Sequence, residues 1–464
     1  MKGATSILLA AALAGCASAP APLPPPVALP AAYGGAVPAG ATQTLGADWW
    51  TLFGEPALNQ LVERTLVHNA DLRLAAARVD ETAAVLGLAR AAQWPGLDLG
   101  AGVTRSRSSG LNGQPVAATG PEATSHRLLL STAFEIDLWG RLRAATAAAQ
   151  AQLLAAQHAR EVVRLAVASA GVQAWFGLRA LDAQLAVLDR QLASREASLA
   201  LVERRLAAGL GTTLERAQAR DALAALQGQR PLLLQQRARL QHQIGLLSGQ
   251  PGWMLETSAQ PVLPAPLTPP PGLPAELLQR RPDIAQAEAA LAAAQAQVAV
   301  ARAAMFPTLS LTGSFGGQST ELADLLKGGA RVWSLGPSLL LPLFDGGRNM
   351  ARSEQAQAQA EQAAIGYQRA VLQAYREVAD ALADSQAAAA QAAPLEARRQ
   401  AAAEAARVAA RRHEAGYSSY LELLEAERSL QEVELAQLRL RQAGLDASLA
   451  LVKALGGGWQ AAAR

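Results

Sequence analysis

Catalysis in this 464-residue chain would have to be built from a small stock of reactive side chains: five histidines, one cysteine and three lysines. His68, His126, His158, His242 and His413 show no metal-type spacing between any two of them. No G-x-S-x-G presents a serine nucleophile, and none of Lys2, Lys327 or Lys453 completes a phosphate-binding loop. The 38 acidic residues are plentiful, but they sit at helix-surface spacing, as a solvated face does. An enzyme is therefore not expected, and neither is a metal or a small-molecule cofactor. The basic residues are nearly all arginines, scattered rather than blocked and without interleaved aromatics, and the net charge is only +3. Nucleic acid is therefore not an expected partner. Scarce Met and His also argue against a dedicated path for soft metal ions.

The cysteine is the exception. Lys2 precedes an apolar stretch, residues 7–14, which runs into Leu13-Ala14-Gly15-Cys16. That is the layout of an export signal, too short for a membrane span. A lone cysteine forms no intramolecular disulfide, and a lone thiol is usually a core residue. Here, however, a Pro/Ala-rich tether follows, with no core to enter. Leu-Ala-Gly-Cys resembles the bacterial lipobox, whose cysteine carries covalent lipid and becomes the first mature residue. On that resemblance residues 1–15 are a signal peptide and 16–47 a lipidated tether. Ala17 is not the Asp that retains such lipoproteins at the inner membrane, which implies the outer membrane.

The elements that would position any site are written twice. Residues 89–102 read ARAAQWPGLDLGAG and residues 301–314 read ARAAMFPTLSLTGS, with seven of fourteen positions identical. Residues 205–215, RLAAGLGTTLE, recur as 412–422, RHEAGYSSYLE. Both halves close alike, at Leu247-Ser248-Gly249 and at Leu455-Gly456-Gly457. This places a first repeat over 48–249, a proline-rich linker over 250–274 and a second repeat over 275–464.

Within each repeat the hydrophobic period changes. Residues 71–93 and 283–305 read as helices stopped at Trp94-Pro95 and Phe306-Pro307. Alternating segments follow at about 97–107 and 127–137, and again at about 307–317 and 332–343. Their apolar faces carry Leu97, Leu99, Ala101 and Val103; Leu128, Leu130, Phe134, Ile136 and Leu138; Leu309, Leu311 and Phe315; and Trp333, Leu335, Leu339, Leu341 and Leu343. Length and alternation match transmembrane β-strands, with Trp94, Trp139, Phe306 and Phe344 at the interfacial ends. By alternation alone, half-buried strands of a soluble sheet are the commoner reading.

The helices change that balance. Residues 138–208 are an unbroken run of helix formers, about 105 Å at ~1.5 Å per residue. The chain turns at 209–213 and returns over 214–249, and the second half repeats this with 346–415, a turn near Gly416 and 421–455. Each repeat is then one β-hairpin on a long antiparallel helical hairpin. No globular core explains that pattern, whereas strands in a membrane with helices crossing the periplasm do. Pro231 and Pro394, each about twenty residues from a tip turn, are expected to interrupt and kink their helices. Four strands cannot close a barrel, and an open edge in lipid leaves backbone groups unsatisfied. Closure needs further copies, either a dimer with eight strands or a trimer with twelve.

These residues together resemble the outer membrane factor family, the TolC-like channels, over essentially the whole mature chain. The likeness is closest to its lipoprotein branch serving RND-type pumps. It rests on Cys16, on Asp48-Trp49-Trp50-Thr51-Leu52-Phe53, on Arg280-Arg281-Pro282-Asp283-Ile284 and on Phe306-Pro307. Pro342-Leu343-Phe344-Asp345-Gly346-Gly347 and Leu455-Gly456-Gly457-Gly458-Trp459 complete it. The resemblance implies a mostly α fold with a transmembrane β-barrel portion. It implies a homotrimer with a twelve-stranded β-barrel and a twelve-helix periplasmic α-barrel tapering to a closable tip. The implied partners are a periplasmic adaptor (membrane fusion) protein and an inner-membrane RND transporter.

The resemblance also implies a site. Gly209 and Gly416 mark the tip turns. The segment Tyr420-Leu421-Glu422-Leu423-Leu424-Glu425 resembles the family stretch that rings the periplasmic aperture, with Leu421 as the apolar ring and Glu425 as the acidic ring. Leu214 and Gln218 stand at these positions in the first repeat, and Glu422 reads as an ordinary solvated carboxylate. The expected function is the exit duct of a tripartite efflux pump, passing drugs or other small toxic compounds. A channel for type I protein secretion, and a pore-less coiled-coil lipoprotein spanning the periplasm, are the alternatives.

Overall fold

A computed structural model describes residues 26–33, 45–109, 121–255, 263–272 and 274–459. Cys16, the signal segment and parts of the tether and linker lie outside the described residues. The chain divides into two compact units that cut across the repeats. Among the described residues the first gathers 79–156 and 287–367, and the second gathers 26–78, 157–286 and 368–459.

In the first unit β1 (Gly96–Arg107), β2 (Glu122–Ile136), β3 (Thr308–Ser319) and β4 (Arg331–Leu340) form one antiparallel sheet in sequence order. Its register makes the two faces visible. Leu99, Leu130, Phe315 and Trp333 line up across all four strands, and the next row is Asp98, Ser131, Ser314 and Ser334. Directly paired residues share a face, so the sheet has one apolar face and one polar face. On the polar face Ser314 and Ser334 join hydroxyls at 2.8 Å. Leu97, Leu99, Val103, Phe315, Trp333, Leu335 and Leu339 are all largely exposed, so a single chain leaves the apolar face uncovered. β1 and β4 are open edges, each with a row of unpaired backbone groups.

The strand boundaries that depart from expectation with a visible local cause are those of β2 and the end of β4. β2 starts at Glu122 because the hairpin ladder continues to Arg107↔Glu122, reinforced by the Arg105–Glu122 ion pair at 2.8 Å. It ends at Ile136, leaving Leu138 outside. The Asp137 carboxylate accepts the amides of Leu142 (3.1 Å) and Arg143 (2.9 Å) and so caps the following helix, α3 (Arg141–Ala207). β4 ends at Leu340, so Leu341 and Leu343 fall beyond it; Pro342 has no N–H with which to extend a ladder. Asp345 then accepts the amides of Gly347 (3.0 Å) and Asn349 (2.9 Å) at the start of α6 (Arg348–Glu414). Trp139 stacks on Phe306 with ring centroids 4.8 Å apart and donates Nε1–H to the Pro307 carbonyl at 2.7 Å.

The helices repeat in length as well as order. α3 and α6 have 67 residues each, α4 (Thr213–Leu247) and α7 (Tyr420–Ala454) have 35, and α2 (Ala70–Ala91) and α5 (Pro282–Ala303) have 22. The interruption expected at Pro231 and Pro394 does not occur: α4 and α6 run through both. Each proline removes one backbone bond, and the turns on either side keep theirs.

The main core lies in the second unit. Trp49, Trp50 and Phe53 are buried with Leu58, Leu61 and Val62 of α1 (Pro56–His68), against Val172, Trp175 and Phe176 of α3 and Leu445, Leu449 and Val452 of α7. Phe53 meets Phe176 edge-on at 5.0 Å. The Gln241 side chain donates to the Leu255 carbonyl and accepts its amide, both at 3.0 Å, which satisfies linker backbone inside this core. Buried Arg281 gathers Asp283, Glu377 (2.8 Å) and the Ala454 carbonyl (2.9 Å), tying α5, α6 and the end of α7 together.

Candidate functional site

The two helical turns of the second unit carry the predicted site, and both are built the same way. α3 ends with the Gly209 amide on Leu206 O (3.0 Å) and the Leu210 amide on Arg205 O (2.8 Å). α6 ends with the Gly416 amide on His413 O (3.0 Å) and the Tyr417 amide on Arg412 O (2.8 Å). This paired closure requires a left-handed residue, and Gly209 (φ +72°) and Gly416 (φ +81°) supply it without steric cost. The returning helices are capped by hydroxyls. Thr212 and Glu215 form a reciprocal capping box on α4, and Ser419 accepts the Glu422 amide at 3.3 Å on α7. Glu422 thus sits in the first turn of α7, where a carboxylate favours the helix N-terminus.

The turns are joined to each other. Arg205 Nη1 donates to the His413 carbonyl at 2.6 Å. Tyr420, Leu423 and Leu424 pack with Val202 of α3 and Ala219 and Ala222 of α4 in a small apolar cluster. One turn further on, Glu427 pairs with Arg195 of α3, which is 5% exposed, and accepts the Ser194 hydroxyl at 3.2 Å. Burial pushes the Tyr420 phenol up, while Arg195 beside it pulls the other way.

This packing decides which face of α7 is free. Tyr420, Leu423, Leu424 and Glu427 face the first repeat, so Leu421 and Glu425, four residues apart, share the outward side. Leu421 is 51% exposed, and its counterpart Leu214 is 64% exposed. Glu425 is exposed and paired with Arg428 at 3.3 Å along the helix. Within one chain both predicted site residues therefore present to solvent together. Arg195, Glu427 and His413 were not singled out by spacing, because their partners lie elsewhere in the chain. Among the described residues no three His, Asp or Glu side chains converge as metal ligands, and no helix is long and apolar enough to cross a membrane.

Comparison with known proteins gives consistent matches. The family described as outer membrane efflux protein matches twice, over residues 61–250 and 273–457, once in each half. The pyoverdine export outer membrane protein OpmQ of Pseudomonas aeruginosa is 35% identical over 465 aligned residues, covering 99% of this chain and 98% of that protein. Outer membrane protein OprJ of the same organism is 34% identical, covering 98% of this chain and 96% of its own length. The solved outer-membrane channel OprN superposes with a TM-score of 0.86 at 32% identity, covering 95% of this chain and all of that one.

Proposed function

The chain belongs to the outer membrane efflux protein family, and from that membership we propose that three copies form the exit duct of a tripartite RND-type efflux pump. The observation that carries the reading is the four-stranded sheet, with an uncovered apolar face and two open edges. In water or lipid such edges need partners, and three copies provide twelve strands in which β4 of one pairs with β1 of the next. The apolar rows then face lipid and the Asp/Ser rows face the lumen. Lipid on Cys16 adds a second anchor on the periplasmic side.

The partners in this reading are a periplasmic adaptor and an inner-membrane RND transporter, and the cargo is small compounds that the transporter selects. At the tip, three Leu421 side chains form an apolar seal, and three Glu425 side chains form an acidic ring one helical turn away. Such a ring attracts cations and slows anions. Arg428 beside each Glu425 tempers the ring's charge. The closed tip is metastable, so that an adaptor opens it through a modest difference in affinity between the two states.

Recordings from the purified protein in planar bilayers test this. We expect a trimer in solution and a low-conductance channel blocked by divalent cations. Glu425→Ala should abolish the block, Leu421→Ala should raise the resting conductance, and Glu422→Ala should do neither. A protein that forms no channel refutes the duct. A channel indifferent to both Glu425→Ala and Leu421→Ala refutes the gate assignment.

A further inference from the structure

The apolar face of the sheet does not stay apolar to its rim. β1 follows α2 and β2 leads into α3, so the hairpin loops lie at the end of the sheet away from the helices. The charged side chains of this face all gather at that loop end. Arg331 of β4 lies two residues beyond Trp333, in the row of Ala101, Leu128 and Gly317. Arg105 and Arg107 continue the face of β1 past Val103, opposite Thr124 and Glu122. Arg105 and Arg107 share one carboxylate, Glu122, at 2.8 and 3.9 Å, and their side chains remain 75% and 73% exposed. Pairs so exposed hold their charges weakly. Arg331 is exposed and has no hydrogen-bond or ion-pair partner among the described residues. The loop between β3 and β4 leans onto the same face, because a Cβ on Gly317 would collide with the Leu325 carbonyl oxygen. That loop opens with Glu321, carries Lys327 paired with Asp324, and leaves Leu322 and Leu326 67% and 84% exposed. The β1–β2 connection, residues 108–121, contributes no charge.

We propose that this rim binds the phosphate headgroup of an outer-leaflet lipid, at a site that each copy completes with its neighbour. The inference rests on the exit-duct reading, which turns the apolar face to lipid and pairs β4 of one copy with β1 of the next. Within one chain Arg331 stands on one edge strand, and Arg105 and Arg107 stand on the other. Joining the edges brings the three guanidiniums to one junction, with Glu122 as the only carboxylate on those strand faces and Lys327 in the adjoining loop. A guanidinium fork matches a phosphate bidentately. Clustered cations at a membrane surface add to one another in attracting anionic lipid. Their position on the barrel is tolerable, since the penalty for a cation on the lipid face falls away toward the interface. The acyl chains of such a lipid would run along Trp333, Leu335 and Leu339, which are exposed on the same face just inside Arg331. A free phosphate would satisfy the guanidiniums equally well. It would leave Trp333, Leu322 and Leu326 uncovered, and a lipid covers both parts of the surface.

Native mass spectrometry of the purified full-length protein counts bound lipid directly. The trimer in detergent is titrated with diphosphorylated lipid A, dephosphorylated lipid A or phosphatidylethanolamine. The diphosphorylated lipid should bind up to one molecule per copy and be retained in preference to the other two. Arg331→Gln, and separately Arg105→Gln combined with Arg107→Gln, should weaken it about five-fold or more. Arg331→Lys should recover part of that loss. Arg127→Gln is the control, because Arg127 lies at a similar depth on the opposite face, bonded to Gln318 at 3.2 Å; it should change nothing. Only trimers are counted, so a variant that assembles poorly is still read from the trimers it forms. No preference for the phosphorylated lipid, an equal loss in Arg127→Gln, or displacement by millimolar inorganic phosphate overturns the inference. Retention that follows these residues while no channel is recorded in bilayers defeats the exit duct and leaves the lipid site standing. A conducting channel whose lipid retention ignores every variant does the reverse.

Discussion

Leu130 and Ser131 allow the two faces of the sheet to be compared at one depth. They are neighbours on β2, the ninth and tenth of its 15 residues, and β2 is paired on both sides, so neither sits at a fraying edge. Leu130 lies in the row with Leu99, Phe315 and Trp333, and Ser131 in the row with Asp98, Ser314 and Ser334. Leu130→Arg puts a guanidinium on the apolar face, at about 2–4 kcal/mol per chain near the bilayer midplane. A trimer incurs this three times, roughly 6–12 kcal/mol. Ser131→Arg loses only a long hydrogen bond to the Asp98 carbonyl, 3.4 Å, worth about 1 kcal/mol or less. It also places its charge in the row of Asp98. The expected difference, about 1–4 kcal/mol per chain, is roughly 5- to 900-fold in the folding equilibrium. Urea titration of protein folded into lipid vesicles, followed by circular dichroism and gel mobility, measures it. Equal damage from both substitutions, or greater damage from Ser131→Arg, would mean that the polar row faces lipid, because a one-residue slip exchanges the faces.

Cys16→Ala should abolish acyl labelling and slow maturation, yet leave assembled protein in the membrane fraction; wild-type protein with an unmodified Cys16 by mass spectrometry contradicts the lipid anchor. Arg195→Met strands Glu427 in a largely buried site and should cost about 3–5 kcal/mol in thermal or denaturant unfolding. Adding Glu427→Leu should recover most of that loss, and strict additivity of the two would mean that the pair does not act as a unit. Burial pushes the Asp446 carboxyl above its usual range. A raised folded-state value means the folded form holds its proton more tightly, so wild-type stability contributed by this group falls as pH rises through the carboxylate range. Asp446→Asn should therefore match wild type near pH 3 and melt higher than wild type at pH 7, and an offset independent of pH contradicts this.

Much of the molecule was legible in the sequence because it depends on periods and terminators within single segments. The two-residue alternation assigned Leu99, Leu130, Phe315 and Trp333 to apolar faces before any pairing was known. Pro95 and Pro307 bounded α2 and α5, and Gly209 and Gly416 marked turns that only a left-handed residue closes. Backbone geometry sets such features locally. Strand ends were less legible, because Asp137 and Pro342 act through a helix cap and a missing N–H rather than through hydropathy. Helix continuity at Pro231 and Pro394 was less legible for a related reason: a local loss of about 3 kcal/mol does not end a helix of 35 or 67 residues that packs along its length. Only the tertiary structure decided which segments meet. It paired β2 with β3 across the repeats and seated Glu427 on Arg195, 232 residues away. It also set Arg205 on the carbonyl of His413, 208 residues away. A charged side chain at helical spacing reads alike whether it is solvated or paired, and hydropathy does not distinguish a lipid-facing leucine from a buried one. Partner choice is set by packing between distant segments, which no local period encodes, and that packing turned Leu421 and Glu425 outward while burying Tyr420 and Leu424.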